Sequence, residues 1–264
     1  MHTLATIALT LTSLAPTTVR AEEEASDVAD IPWEARTLAE HERALYHLIG
    51  YDEEAKAPKK GYRLLLVLPG GDGSAGFRDF IRRIKKHVLD DDWIVAQLVA
   101  PKWAEDQEVV WPIETLPHPD MEFTTEEFVA GVIDEVEDDI KVDPNYVFAM
   151  GWSSSGSPVY RSALLKDTKL TGAFVSMSVW KPDLMPKLKQ GKGQAFAILH
   201  SPEDFIPIKM AEEARDALEK VKAEVHYATY KGGHGWKDDP FGKMRTAIEF
   251  LERKHAKPPK RKRR

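Results

Sequence analysis

The chain has 264 residues, 42% of them apolar and 30% charged, with a net charge of −6. That length suits one large domain with a sizeable core, and the composition is globular rather than disordered. The acidic balance argues against nucleic acid as the main partner. The complete absence of Cys excludes disulfides, thiolate catalysis and Cys-based metal sites.

At the start of the chain, Leu4 to Leu14 form a short apolar run. Val19-Arg20-Ala21 then offers small residues around a leader cleavage point, before the polar Glu22-Glu23-Glu24. The run is too short for a membrane span, which needs about 20 apolar residues. Residues 1–21 are expected to be a signal peptide, and the protein secreted or periplasmic. Residues 22–256 are expected to form one domain.

Within that domain, Arg43 to Leu48 reads as an early strand or a short helix, and Asp52 to Lys60 as a turn. Leu64-Leu65-Leu66-Val67-Leu68 is a continuous apolar run followed by Pro-Gly-Gly, the pattern of a strand buried on both faces. Phe77, Phe80, Ile81, Ile84 and Val88 recur at helical spacing. Trp93 to Ala100 is the next strand. Thr124 and Glu127 are spaced as a capping box, opening a helix with Phe128, Val129, Val132, Ile133, Val136 and Ile140 on its apolar face.

Asp143-Pro144-Asn145 reads as a turn and Tyr146 to Met150 as a strand. Beyond them come a helix from about Pro158, strands at Ala173–Met177 and Ala195–Leu199, and a helix over Ile208–Val221. A strand at Val225–Tyr230 and a helix at Phe241–Lys254 complete the pattern. Strands alternating with helices predict an α/β domain around a mostly parallel sheet. The basic segment 257–264 reads as a disordered tail, either solvated or an electrostatic tether.

Ligands of such sheets bind beyond the carboxyl ends of the strands, and four motifs stand there. Gly151-Trp152-Ser153-Ser154-Ser155-Gly156 has the strand–serine–helix form of a nucleophile elbow. The positions two before and two after the nucleophile must be small. With Ser153 as nucleophile they are Gly151 and Ser155. Ser154 would place Trp152 at a crowded position, and Ser155 would lose glycine from both sides, so Ser153 is favoured. Pro69-Gly70-Gly71-Asp72-Gly73 can bring a backbone N–H close to a substrate. Gly71 and Ser154 are therefore the candidate oxyanion donors. In His200-Ser201-Pro202-Glu203-Asp204, Asp204 is the candidate acid and Glu203 the alternative. In Lys231-Gly232-Gly233-His234-Gly235-Trp236, His234 is the candidate base.

Together these motifs follow predicted strands in the order Ser, Asp, His. They resemble the α/β-hydrolase superfamily. The similarity is to its phospholipase/carboxylesterase branch and to polyhydroxybutyrate depolymerase-like and feruloyl esterase-like enzymes, over roughly residues 43–253. The departures are Ser155 for glycine and Pro69 where that branch often has histidine. The resemblance implies an α/β-hydrolase fold with helices on both faces of the sheet. It also implies cleavage of small or polymeric carboxylic esters through an acyl-enzyme, without metal or cofactor. Little room exists between Met177 and Gln194 for a large lid, so the site is expected to be open. Trp103, Trp111, Trp152, Trp180 and Trp236 fall in or beside loops after strands, either lining the cleft or packing its rim. Trp152 and Trp236, nearest the triad, are the candidate substrate-binding residues. The competing functions are a peptidase or other acyl hydrolase of the same fold, and a catalytically inactive binding protein.

Overall fold

The computed structural model describes residues 27–39 and 41–255. The expected leader (1–21) and basic tail (257–264) lie outside these residues. Among the described residues eight strands form one sheet: β1 (Trp33–Thr37), β2 (Leu45–Ile49), β3 (Tyr62–Leu68), β4 (Trp93–Leu98), β5 (Val142–Trp152), β6 (Gly172–Ser176), β7 (Ala195–His200) and β8 (Glu224–Thr229). Their spatial order is β1-β2-β4-β3-β5-β6-β7-β8. β2 runs antiparallel to β1 and β4, and every other pairing is parallel.

Among the described residues five helices cover the sheet: α1 (Arg78–Val88), α2 (Thr125–Asp139), α3 (Gly156–Ala163), α4 (Ile208–Lys220) and α5 (Pro240–Arg253). Strand alternation divides the core in two. Leu64, Leu66 and Leu68 of β3 face the layer of α2, α3 and α4, among Phe128, Val132, Tyr160 and Leu218. Leu65 and Val67 face α1 and α5, among Ile81, Ile84, Met244 and Leu251. All five β3 side chains are fully buried, and burying each contributes about 1.5–3 kcal/mol. An unbroken apolar run is what a strand needs when both its faces are covered.

The expected capping box is present. Thr124 Oγ1 accepts from the Glu127 N–H at 3.1 Å, and Glu127 Oε2 accepts from the Thr124 N–H at 2.7 Å. The segment 43–48 resolves as strand rather than helix. Two details differ from expectation. Asp143-Pro144-Asn145 is not a turn ahead of a strand but an irregularity inside β5. Tyr62 pairs with Val142 and Leu64 already with Val147, so the extra residues leave the ladder. Pro144 lacks an N–H for that ladder, and Asp143 Oδ1 accepts the Asn145 N–H at 3.1 Å instead. The edge strand β1 was not expected. Most of its residues are exposed, and without a buried face it carries no alternation to read.

Between β6 and β7 the chain makes two short 3-10 turns, Pro182–Leu184 and Leu188–Gly191. Arg161 of α3 holds this segment by donating to the Leu184 carbonyl. Its guanidinium, almost fully buried, also pairs with buried Glu126 of α2 and with Glu114 at 3.0 Å. Breaking such a pair leaves a buried charge uncompensated. Arg161→Met is expected to lower stability by about 3–5 kcal/mol, measured by urea unfolding.

Candidate active site

The carboxyl ends of β3, β5, β7 and β8 bring the four motifs together. Ser153 follows β5 directly and has φ +55°, a left-handed conformation that costs a residue with a side chain about 1–2 kcal/mol. Three features hold it. Ser155 Oγ accepts the Trp152 N–H at 2.9 Å and donates to the Leu68 carbonyl at 2.5 Å. Ser178 Oγ donates to the Ser153 carbonyl at 2.6 Å. A Cβ at Gly151 would come within 3.0 Å of the Ser155 carbonyl oxygen, so the turn closes only around glycine there. Ser155, which departs from the usual glycine, is thus fully buried and its hydroxyl bolts β5 to β3.

The three serines have separate surroundings. Ser153 Oγ lies 3.0 Å from His234 Nε2. Ser154 Oγ instead donates to the Gly71 carbonyl at 3.0 Å, and Ser155 is the bolt. The structure therefore places Ser153, rather than its neighbours, against the imidazole.

On the far side of the ring, His234 Nδ1 is 3.0 and 2.9 Å from the two carboxylate oxygens of Asp204. The Asp204 side chain is 0% exposed and that of His234 26% exposed, so the carboxylate is dry while the imidazole meets solvent. An acceptor at Nδ1 fixes the proton there and leaves Nε2 free to accept from the serine. Glu203, the alternative acid, is exposed.

The supporting contacts were not foreseen from sequence. Asp204 Oδ1 also accepts the Ile206 N–H at 2.8 Å, and the His200 ring meets the Ile206 carbonyl at 2.9 Å. Ser201 Oγ accepts from both Glu203 N–H (3.1 Å) and Gly233 N–H (3.2 Å), tying the acid loop to the histidine loop. The Met177 thioether accepts the Gly235 N–H at 3.2 Å, with the Tyr230 hydroxyl at 3.7 Å. Burial, helped by the Asp204 charge, pushes the Tyr230 phenol up to about 12, so it stays a neutral donor. These residues also stand at strand ends, but nothing local in the sequence names their partners.

Gly71 has φ +61°, and its loop is pinned from several sides. Trp111 Nε1 donates to the Pro69 carbonyl at 3.0 Å, and Gln97 Nε2 to the Ser74 carbonyl at 3.3 Å. A Cβ at Gly70 would sit 2.6 Å from the Trp152 carbonyl oxygen, so glycine is needed for the loop to approach the elbow.

The tryptophans divide. Trp103, Trp111, Trp180 and Trp152 are all buried. Trp152 packs against Phe77, Phe80 and Trp236 at ring separations of 5.7, 5.9 and 5.4 Å. It offers no free face to a ligand, a correction to the role expected for it, because the aromatic cluster behind the elbow encloses it. Trp236 is partly exposed. Among the described residues the aromatic most open to solvent is Phe205, 76% exposed, its ring centroid 4.4 Å from that of His234. Its position directly after Asp204 was the one signal for it.

No family model and no curated protein matches the sequence. Solved structures do match. One is an α/β-hydrolase enzyme from a Medee basin deep-sea metagenome library, with TM-score 0.63, 13% identity, and coverage of 85% of this chain and 98% of that one. Another is the Bacillus cereus carboxylesterase, with TM-score 0.61, 18% identity, and coverage of 79% and 93%. A third is a ferulic acid esterase, with TM-score 0.61, 11% identity, and coverage of 85% and 98%. The chain has the α/β-hydrolase fold.

Within this fold the elbow depends on a hydroxyl where glycine is usual. Ser155→Ala leaves the buried Trp152 N–H and Leu68 carbonyl without that partner, a loss of about 1–3 kcal/mol. The expected readout is a lower urea midpoint with an unchanged denaturant slope.

Proposed function

We propose that this chain is a serine hydrolase that cleaves carboxylic esters. The observation that carries this reading is the unbroken hydrogen-bond series Ser153 Oγ, His234 Nε2, His234 Nδ1 and Asp204, mounted on a strained turn at a strand end. The names of two structural neighbours, a carboxylesterase and a ferulic acid esterase, favour ester over amide chemistry.

In the proposed reaction, His234 Nε2 takes the proton of Ser153 as its oxygen attacks the ester carbonyl. Negative charge then gathers on the carbonyl oxygen. The N–H groups of Gly71 and Ser154 are the proposed donors to it. Ser154 lies in the first turn of the helical segment after the elbow, where N–H groups have no intrahelical acceptor. Each such donor is worth about 3–4 kcal/mol of transition-state stabilisation. The imidazolium, held by Asp204, then protonates the departing alcohol, leaving the acyl group on Ser153. Water, activated by the same imidazole, releases the acid and restores the hydroxyl.

Among the described residues no helix is long and apolar enough to cross a membrane. The apolar run at Leu4–Leu14 before Ala21 supports export of the domain.

The test is hydrolysis of p-nitrophenyl acetate by the chain from Glu22, with fluorophosphonate labelling alongside. Ser153→Ala is expected to abolish labelling and to lower kcat by a factor on the order of 10⁴ or more. Asp204→Asn, which keeps the geometry but presents the wrong tautomer to Ser153, is expected to lose on the order of 10⁴ as well. Labelling that persists in Ser153→Ala moves the nucleophile elsewhere. A wild type that neither reacts nor labels leaves a binding protein as the better reading.

A further inference from the structure

Among the described residues Phe205 is the large apolar side chain most open to water, at 76%, against 42% for Leu116 and 38% for Trp33. A lone exposed ring is ordinary on a protein surface, but this one differs in two respects. Its ring centroid is 4.4 Å from that of His234, with the planes inclined at 42°. Its backbone is also clamped on both sides. Asp204 N–H donates to the Ser201 carbonyl at 3.2 Å, and the Asp204 carboxylate accepts the Ile206 N–H. The Ile206 carbonyl meets buried His200, and Pro207 then leads into α4. Phe205 is therefore mounted rigidly beside the imidazole, and a ligand covering it need not order a loose loop first.

We propose that Phe205 forms the binding wall for the alcohol part of the substrate and selects esters of aryl or benzylic alcohols. This rests on the serine-hydrolase reading above. The geometry sets which half of the ester it meets. The oxygen that receives a proton from His234 Nε2 must come within about 2.6–3.2 Å of it, and that oxygen belongs to the departing alcohol. The first carbons of the alcohol then lie beside the imidazole, within reach of a ring centred 4.4 Å from it. The acyl group is oriented separately, because its carbonyl oxygen points towards Gly71 and Ser154. A flat aromatic alcohol can stack on the free Phe205 face, or meet it edge-on, and so displaces water from both rings.

The experiment compares kcat/KM for benzyl acetate, ethyl acetate and ethyl phenylacetate in the wild type, Phe205→Ala and Phe205→Trp, with fluorophosphonate labelling of each. Comparing each ratio between wild type and variant cancels the intrinsic reactivity of the esters. Phe205→Ala is expected to lower the benzyl-to-ethyl ratio about 2- to 12-fold, the range of one aromatic contact, and Phe205→Trp to restore it. The ratio of ethyl phenylacetate to ethyl acetate, which varies only the acyl side, is expected to change less than about twofold on the same scale. A benzyl-to-ethyl ratio unchanged in Phe205→Ala, or a larger change on the acyl side, overturns the proposal while labelling and turnover keep the hydrolase reading intact. A wild type that neither labels nor turns over ethyl acetate overturns the hydrolase reading and this proposal with it.

Discussion

Ser153 adopts a left-handed backbone that nothing in its own side chain favours, and the whole site depends on the contacts that keep it there. The Ser155 hydroxyl joins the elbow to the end of β3, and the Ser178 hydroxyl joins it to the segment after β6. The end of β3 and the segment after β6 therefore grip the turn from either side of β5. The strain is offset by bonds that only a formed sheet can supply, so the serine projects from a rigid mount rather than from a flexible loop.

That sheet is stiff because its middle is buried twice over. β3, β5, β6 and β7 are enclosed almost entirely, and alternate residues fill two separate cores. Parallel strands end at one edge in a common direction, so the loops that follow them converge there. Convergence alone is not alignment. Alignment comes from polar cross-links between loops: Ser201 to Gly233, Met177 to Gly235, and Ser154 to Gly71. Each takes up a backbone group that would otherwise be left unpaired near the site.

Burial and exposure are also sorted residue by residue around the imidazole. The Asp204 carboxylate is withdrawn from water and Phe205, its chain neighbour, is thrust into it. Adjacent side chains of an extended or turning backbone point in different directions, so one short segment supplies both a dry anchor for the histidine and an aromatic wall facing solvent. Trp152 shows the converse. It stands next to Ser153 in the chain, yet the same alternation sends it inward among Phe77, Phe80 and Trp236.

The sequence by itself determined the alternation of strands and helices, the buried run Leu64–Leu68, the capping box at Thr124, and the four strand-end motifs with Ser153, Asp204 and His234 among them. Those features are legible because each rests on local chemistry: continuous apolar runs, cap spacing, and glycines where the backbone must turn sharply. Only the tertiary structure decided which of three adjacent serines meets the histidine, that Asp204 rather than Glu203 backs it, and that Trp152 is packing while Phe205 is surface. The edge strand β1 and the irregularity at Pro144 also waited for it. The physical reason is the same throughout. The direction in which a side chain points, and the partner it meets, are set by elements far away in the chain, and residues such as Ser155, Met177 and Ser201 acquire their roles only when those elements close around them.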